Sequence, residues 1–560
     1  MKIATQHTLL AVLWLGCLCC VAFAQSGGTA VPGTAARNIP QAQGFSGLGS
    51  LTGSFQSDAQ WYLADSSIGV PSVPEQILSN SALQLWWNYG RFTAGIRYEA
   101  YLNPLQGFDG RWRGQGIAFR SLSYNGDIFD VTVGNFYEQF GTALILRAYE
   151  ERQLGIDNAL DGVRVRLFPA KGITLTTIFA KQRFFWALSD GLLRGLDAQV
   201  SVSELLPSLA ESGIRLDVGI SGLSRYQAAS DPMLQLPDNT ASIEGRVSLG
   251  LENLSLLVAG AFRSPDPSAQ NGTTYNPGNA AYINVSYAAK GFALNLSAKR
   301  IDNMDIRSDR TVLGNALNLS YLPALTAQHS YRLAALYPYS TQANGEFAVQ
   351  GDATFQIPRG SLFGGQYGTT ITLNYARVHA LDTTRITPYL YEARLAGARL
   401  YFQDINAEIS KKWNSHFYTA LQVLHISYDK DQIEGTRGVG LVTATIAALD
   451  ATYTIDRSNT IRCELQHLAT RNDAGSWAFA LAEYTLDQTW YLSVFDEYNY
   501  GNPTPARQLH FLSGGLTYRN QGFRVGASFG RQRAGVLCVG GLCRVVPAAN
   551  GLMLSINATF

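Results

Sequence analysis

The sequence predicts an all-β protein, a single-chain transmembrane antiparallel β-barrel, and three observations lead to this prediction. The chain begins with an apolar run of the export type, most of the rest alternates apolar and polar residues, and the last ten residues alternate up to Phe560. A period of two places the two sets of side chains on opposite faces of a strand. In a membrane barrel one face meets lipid and the other meets the lumen.

The N-terminus has the layout of a secretory signal. Lys2 precedes an apolar run that extends to Phe23, and Ala22-Phe-Ala24 supplies the small residues of a cleavage site. We therefore expect residues 1–24 to be a signal peptide that is removed on export. A lipoprotein signal at Cys17 is the less favoured alternative, because Cys17 lies deep within the apolar run.

Two further regions follow the signal. Residues 25–47 are rich in Gly, Ala, Thr, Pro and Gln without periodicity, which predicts a flexible N-terminal tail. Residues 48–560 contain no stretch of the ~18 apolar residues that a membrane helix needs. They contain instead a long series of alternating segments, so one barrel accounts for residues 48–560.

The alternating segments come in pairs joined by turn residues. Leu83, Leu85, Trp87 and Tyr89 are apolar at odd positions, and after Gly90-Arg91 the apolar parity changes to Phe92, Ala94, Ile96 and Tyr98. We count about 22 strands, within 18–26, and expect an even number. Their lumen is expected to be partly filled by loops.

The connections are expected to differ between the two ends of the barrel. Gly90-Arg91 and Lys290-Gly291 are short turns of the periplasmic type, whereas 264–278 and 302–310 are polar and read as long external loops. The sequence has no separate N-terminal globular domain of ~150 residues, which argues against a plugged TonB-dependent transporter. A soluble propeller or sandwich is the alternative fold, but it would lack the terminal aromatic strand.

The last strand and the composition indicate partners. Phe560 is expected to be part of the signal that the barrel-assembly machinery reads, and outer-membrane lipid and lipopolysaccharide are expected around the barrel. Charged residues make up 15% of the chain and the net charge is +1. Without a basic excess to neutralise phosphates, a nucleic-acid partner is excluded.

Two cysteines near the C-terminus are candidates for a disulfide. Cys538 and Cys543 flank Val-Gly-Gly-Leu, a spacer that suits a tight turn. An exported protein lies in an oxidising compartment, so we expect the two residues to be bonded. The alternative is half of a metal site, but no second Cys or His pair lies nearby, so no metal and no cofactor are predicted.

Charged residues are concentrated between residues 136 and 166. If Val163 and Val165 face lipid, Arg164 and Arg166 face the lumen by parity. One interpretation is an inward-folded constriction whose charges orient solutes. The other, which we favour, is a structural ladder of Arg–carboxylate pairs. The pore-lining candidates are Glu138, Arg147, Glu150, Glu151, Arg152, Arg164 and Arg166.

The sequence does not support an enzymatic function. Gly526-Ala-Ser-Phe-Gly530 matches G-x-S-x-G, but it lies within a predicted strand and no histidine follows His510. A nucleophile elbow needs a strand-to-helix turn and a downstream histidine. No pair of histidines has metal-ligand spacing.

Several segments resemble an uncharacterised outer-membrane barrel family of the Bacteroidota, a domain of unknown function. They include YEQFGTALILRAYEERQLGIDNALDGVRV from Tyr137, SYLPALTAQHSYRLAALYPYSTQANGE from Ser320 and GRQRAGVLCVGGLCR from Gly530. The resemblance spans most of the chain after the signal. It implies the outer membrane of a Gram-negative bacterium and brings no activity with it.

The expected function is therefore porin-like passage of small polar solutes. The alternative is a non-transporting barrel whose loops, including the Cys538–Cys543 loop, bind a surface lipoprotein or a secretion component. A third possibility is an outer-membrane hydrolase, which requires a histidine cluster on one rim.

Overall fold

The computed structural model describes Gly47 and residues 49–229 and 231–560. The predicted signal peptide, 1–24, and all of the predicted tail, 25–47, except Gly47 lie outside the described residues. Among the described residues, no helix is both long enough and apolar enough to cross a membrane.

Twenty-four strands form one sheet, and each pairs antiparallel with the strands before and after it in sequence. The last strand pairs with the first, so the sheet closes. This confirms the predicted β-barrel, with 24 strands against about 22 expected. The strands are β1 (Ser50–Tyr62), β2 (Ile77–Tyr89), β3 (Phe92–Asn103), β4 (Gly114–Asn125), β5 (Phe129–Phe136), β6 (Leu160–Ala170), β7 (Ile173–Phe184), β8 (Ala187–Ser201), β9 (Arg215–Tyr226), β10 (Asn239–Gly250), β11 (Leu254–Arg263), β12 (Gly278–Ala289), β13 (Phe292–Asp302), β14 (Gly345–Ile357), β15 (Thr369–His379), β16 (Leu400–Lys412), β17 (Phe417–Asp429), β18 (Leu441–Thr454), β19 (Thr460–Ala469), β20 (Trp477–Leu486), β21 (Trp490–Tyr498), β22 (Ser513–Asn520), β23 (Phe523–Gln532) and β24 (Ala549–Thr559).

The barrel closes where the terminal segment meets the first strand. β24 pairs with β1 from Gly551 against Tyr62 to Thr559 against Ser54. Beyond the strand, the Gly53 N–H donates to the Phe560 carbonyl over 2.7 Å, and the Phe560 N–H donates back to Gly53 over 2.9 Å. The alternation in the last ten residues is thus that of the closing strand.

The two rims of the barrel differ as expected. The short-turn rim carries most of the tight connections, including 90–91 and 290–291, and both ends of the barrel chain. The long-loop rim carries the long connections, including 137–159, 303–344 and 533–548.

The outer face of the barrel is apolar. On β2, Leu83 and Trp87 point outward and are exposed, whereas Leu78 and Ala82 point inward and are buried. Exposed aromatic side chains mark both ends of the strands, as at the two interfaces of a membrane barrel. At the short-turn rim they are Trp87, Tyr89, Phe92, Phe129, Tyr287, Phe355, Trp413, Tyr453, Phe523 and Phe560. Towards the long-loop rim they are Trp61, Tyr98, Phe179, Tyr226, Phe262 and Tyr375.

Two of the long connections fold into the lumen. We call residues 137–159 inner loop A and residues 303–344 inner loop B. The side chains of Phe140 and Ile145 in loop A and of Leu319 and Leu333 in loop B are fully buried against inward-facing wall residues. Together the two loops form a plug with two hydrophobic clusters.

The expectation that 302–310 forms an external loop was wrong. Arg307 and Ser308 are buried, and Asp309 accepts a hydrogen bond from Gln227 over 2.9 Å. The polar side chains that suggested solvent exposure instead bond to one another and to the upper wall. The Arg307 guanidinium, for example, binds both carboxylate oxygens of Asp305.

The outward parity of β2 gives a direct test of the membrane face. Leu83, at the middle of the strand, points outward, and its neighbour Gln84 points to the polar lumen. Leu83→Arg should lower the free energy of unfolding in lipid bilayers by about 2–4 kcal/mol, because it places a charge in hydrocarbon. Gln84→Arg is the control and should change it far less. Equal effects in denaturant titrations would contradict the assigned faces.

Candidate functional site

The backbone of inner loop A approaches the lumen wall closely at Gly141. Gly141 has φ +49°, and a Cβ there would stand 2.4 Å from Glu244 Oε1. The Thr142 N–H and hydroxyl both donate to this same oxygen, over 2.8 and 2.9 Å. Glycine thus allows the loop to bend onto the wall.

The first part of the loop carries one of the predicted pore-lining acids. Glu138 is buried, and its Oε2 accepts hydrogen bonds from Arg164 over 3.3 Å and from Arg166 over 2.8 Å. Both arginines point into the lumen from β6, as expected from their alternation with the outward-facing Val163 and Val165. All three charges are therefore joined in one ion-pair group.

The end of the loop is joined to the wall by a buried cluster that we call the arginine–carboxylate cluster. It contains Arg97 and Glu99 from β3, Asp157 from the loop and Arg183 from β7. Arg97 binds Asp157 and also donates to Glu150 over 3.0 Å. Arg183 binds Asp157 and donates to Glu99 over 2.7 Å.

Asp157 is the central acid of this cluster. Burial acts to raise its pKa, but Arg97 and Arg183 outweigh burial and hold the pKa of Asp157 below its ordinary value. A depressed pKa means that the stabilisation is present above the ordinary pKa of aspartate and is lost as the pH falls through the lower, folded value. The attachment of the loop therefore persists at neutral and mildly acidic pH.

The remaining candidates also have partners. Arg147 lies between the rings of Tyr149 and Tyr321, 4.6 and 3.9 Å from their centroids. Arg152 donates to Glu150 over 2.6 Å and to Gln56 of β1 over 3.1 Å. Glu151 caps a single turn of 3₁₀ helix by accepting from the Gln153 N–H.

The structure thus brings the predicted residues together as pairs rather than as one ring. Glu138, Arg164 and Arg166 form one group, and Glu150 and Arg152 join the arginine–carboxylate cluster. This arrangement resembles the favoured ladder more than a constriction of facing charges. A role in lining a pore stays a prediction for all seven.

Sequence reasoning missed Arg97, Glu99 and Arg183. Each lies on a strand far from loop A in sequence, and an inward charge on a barrel strand is unremarkable by itself. The only signal was parity, which placed Arg97 and Glu99 on the lumen side opposite Ile96 and Tyr98.

Carboxylate oxygens of Glu99, Glu150 and Asp157 lie within 4.8 Å of one another, close enough to be tested as a metal site. Three guanidinium groups, those of Arg97, Arg183 and Arg152, already pair with these three acids. A cation would have to enter beside two buried positive charges, so the chemistry of the cluster does not fit a metal.

Inner loop B connects loop A to the opposite wall. In the first half of loop B, the Leu319 carbonyl accepts from the Arg147 N–H over 2.7 Å, and the Tyr321 N–H donates to the Ala143 carbonyl over 2.9 Å. Further along, His329 bonds Asp404 over 2.7 Å. The plug therefore extends across the lumen from the β3–β7 wall to the β16 wall.

A buried ion pair holds the middle of loop B. Lys299 of β13 and Glu346 of β14 are fully buried, with 2.8 Å between Nζ and Oε1. The Glu346 carboxylate also accepts from the Tyr339 hydroxyl over 2.5 Å and from the Gln342 N–H over 2.7 Å. Lys299 in turn donates to the carbonyl of Pro323. Two separate segments of loop B, at Pro323 and at 339–342, thus contact the same buried pair in the wall.

The two C-terminal cysteines lie at the end of a short hairpin, 535–546, that we call the disulfide hairpin. Cys538 and Cys543 are bonded to each other in the structure. The Thr341 N–H donates to Gly541 over 3.1 Å, and Asn315 donates to the Cys543 carbonyl over 2.6 Å. The hairpin therefore packs on loop B and adds to the plug.

Carboxylates are concentrated on one lumen wall, which we call the acidic wall. It consists of Asp352, Glu408, Asp450, Glu464 and Glu483 on β14, β16, β18, β19 and β20. The Arg462 guanidinium binds three of these, Asp450 over 2.7 Å, Glu483 over 2.5 Å, and Glu464. One positive charge thus opposes three negative ones at this point.

The acidic wall meets the plug at Tyr331 of loop B. Burial, with the nearby carboxylates Glu408, Asp450 and Glu464, raises the pKa of this hydroxyl well above its ordinary value. Among the described residues, no cation forms an ion pair with Glu408 or Asp352. The wall thus carries a net negative charge beside the plug.

Comparison with known protein families assigns this chain to one of them. The model of a family of unknown function, DUF6029, matches residues 9–560, so the chain belongs to that family. No curated protein matches the chain.

Solved structures that are similar include the translocation pore of the P pilus usher PapC, with a TM-score of 0.43, 10% identity, and coverage of 91% of this chain and 99% of that one. The outer-membrane transporter YddB from Escherichia coli has a TM-score of 0.36 at 8% identity, with 91% and 81% covered. OccD3 from Pseudomonas aeruginosa has a TM-score of 0.34 at 10% identity, with 78% and 90% covered.

The arginine–carboxylate cluster gives a test of how loop A is held. Asp157→Asn removes the shared carboxylate and leaves Arg97 and Arg183 buried beside each other, which should cost about 3–5 kcal/mol of local stability. We expect trypsin to cleave the folded barrel at Arg147 or Arg152 much faster than in the wild type. Glu151→Gln, in the same loop but outside the cluster, is the control and should leave the rate unchanged. Equal cleavage in all three proteins would contradict the role of the cluster.

Proposed function

We propose that this member of the DUF6029 family is an outer-membrane β-barrel that gives small polar solutes, cations in preference to anions, a gated porin-like passage. The location is supported by the closed sheet, the apolar outer face and the aromatic side chains at both rims. The short-turn rim faces the periplasm in this proposal, because such barrels have short periplasmic turns and long external loops.

The acidic wall is the observation that carries the proposed cation preference. Rings or walls of carboxylates favour cations in a pore, and a low-dielectric surrounding strengthens their field. Asp450, Glu464 and Glu483 share Arg462, and Glu408 and Asp352 add two further negative charges. A cation that enters from the short-turn rim would therefore be drawn along this wall towards the plug.

The plug makes the passage a gated one. Hydrophobic clusters join loops A and B to both walls, ion pairs hold loop A at its two ends, and the buried Lys299–Glu346 pair holds loop B from its middle onward. Passage then requires solutes to move between plug and wall, or part of the plug to shift. Ion pairs hold the two ends of loop A, whereas the hydrophobic side chains that pack against the wall lie in its middle, so we expect the ends to release first.

A second candidate function has one observation in its favour. The hairpin formed by Thr383–Thr387 and Leu390–Ala393 extends beyond β15 and β16 and exposes Ile386 and Tyr389, and Leu395 is exposed just after it. Exposed apolar side chains of this kind often mark a protein interface. A surface lipoprotein or a secretion component would bind here rather than at the disulfide hairpin, which packs on loop B.

Charge removal on the acidic wall tests the proposed passage. The triple variant Asp352→Asn, Glu408→Gln, Asp450→Asn should lower the cation-to-anion permeability ratio severalfold, because three lumen charges are lost. The measurement is the reversal potential in planar bilayers under a salt gradient. Asp487→Asn, on an exposed short turn where Asn tolerates the positive φ of 53°, is the control.

Unchanged selectivity in the triple variant, with the fold confirmed by heat-modifiable gel mobility, would exclude the acidic wall as the selectivity element. A wild-type protein that inserts but never conducts would exclude the passage altogether and favour the interface at the exposed hairpin.

A further inference from the structure

The outer face of the barrel has a groove across β17–β21, which the 499–512 connection borders through His510. Its volume is about 500 Å³, and most of the residues that line it are apolar. The groove exists because alanines occupy outward positions where neighbouring strands carry larger side chains. These alanines are Ala447 on β18 and Ala478 and Ala480 on β20.

The groove has a polar end and an apolar end. The apolar end lies towards the middle of the strands and is lined by exposed Leu421, Leu449 and Leu465. The polar end lies towards the long-loop rim, where the groove is lined by His467, near the end of β19, and by His510, on the connection between β21 and β22. Such a gradient matches an amphiphile that lies in the membrane with its polar group at the long-loop side.

The polar end is built from ordered side chains. His510 Nδ1 bonds Asp496 over 2.5 Å, and its ring stacks on Tyr498 at a centroid distance of 3.9 Å. His467 Nε2 bonds the Tyr500 hydroxyl over 2.6 Å. These contacts fix the imidazoles at the wall.

Two arginines lie in the rim connections that flank the histidines. Arg471 follows His467 on the 470–476 connection, and Arg507 precedes His510 on the 499–512 connection. Both arginines are exposed, and neither forms an ion pair with another described residue. A phosphate at the polar end of the groove would meet a positive field from these two sides.

We propose that this groove binds the lipid A part of lipopolysaccharide, with an acyl chain along the alanines and a phosphate near His467 and His510. The inference rests on the outer-membrane location in the proposed function, which places the long-loop rim in the outer leaflet. Binding rather than hydrolysis follows from the lining, because no described residue that lines the groove is a serine, threonine or cysteine. The His510–Asp496 pair therefore has no nucleophile within the groove.

The test is native mass spectrometry of the purified barrel with added hexa-acylated lipid A or phosphatidylethanolamine. We expect the wild type to bind lipid A in preference to the phospholipid. Ala480→Phe fills the groove and should lower lipid A binding about tenfold, because the acyl chain loses its apolar contacts. The double variant His467→Ala, His510→Ala should also lower lipid A binding, because it removes the side chains proposed to lie beside the phosphate. Ala281→Phe, at an exposed outward alanine of β12, is the control and should bind as the wild type does.

Equal binding by all four proteins, a preference for phosphatidylethanolamine, or a dimer whose mass depends on Ala480 would each overturn the inference. These failures are distinct from failure of the proposed function. A barrel that inserts and conducts selectively but fails these tests refutes only the lipid A site, whereas a protein that does not enter bilayers refutes the proposed location.

Discussion

The pairing of β24 with β1 closes the sheet, and without this closure neither the apolar outer face nor the filled lumen could form. In hydrocarbon no water can satisfy a backbone N–H or carbonyl, so a sheet can cross a membrane only if it has no free edge. The reciprocal bonds between Gly53 and Phe560 complete this closure at the short-turn rim. Closure with 24 strands also produces a wide lumen, because barrel diameter grows with strand number. The wide lumen is filled by loops A and B and the disulfide hairpin, all of which enter from the same rim.

Buried charges determine how the plug is held. The arginine–carboxylate cluster around Asp157 and the Lys299–Glu346 pair each join a loop to the wall. Buried ion pairs contribute little net stability, but removal of one partner is strongly destabilising. They therefore favour one position of the plug over others. Hydrophobic contacts such as those of Phe140 and Ile145 supply attraction without the same directional requirement.

Local patterns in the sequence were sufficient for the barrel but not for its contents. Parity along β2 and β3 predicted which side chains face outward, and Gly90-Arg91 predicted a turn, because both signals lie within a few residues. The plug depends on contacts such as Asn158 with Asn318 and Thr142 with Glu244, which lie far apart in the chain.

The wrong expectation about 302–310 has the same origin. The charges in 302–310 resembled those of an external loop, since nothing local shows that Asp309 meets Gln227. Likewise, the alanines of the groove are ordinary in each strand and form a cavity only when β18–β20 lie side by side.

Single-channel conductance shows whether the lumen is a polar passage that its own loops close. The comparison is between the wild type and a variant in which residues 313–341 of loop B are replaced by a short Gly-Ser linker, with folding of both confirmed by heat-modifiable mobility. We expect small or infrequent openings for the wild type and a large, steady conductance for the variant. A wild type that already shows the large, steady conductance, or a folded variant that stays silent, would contradict this expectation.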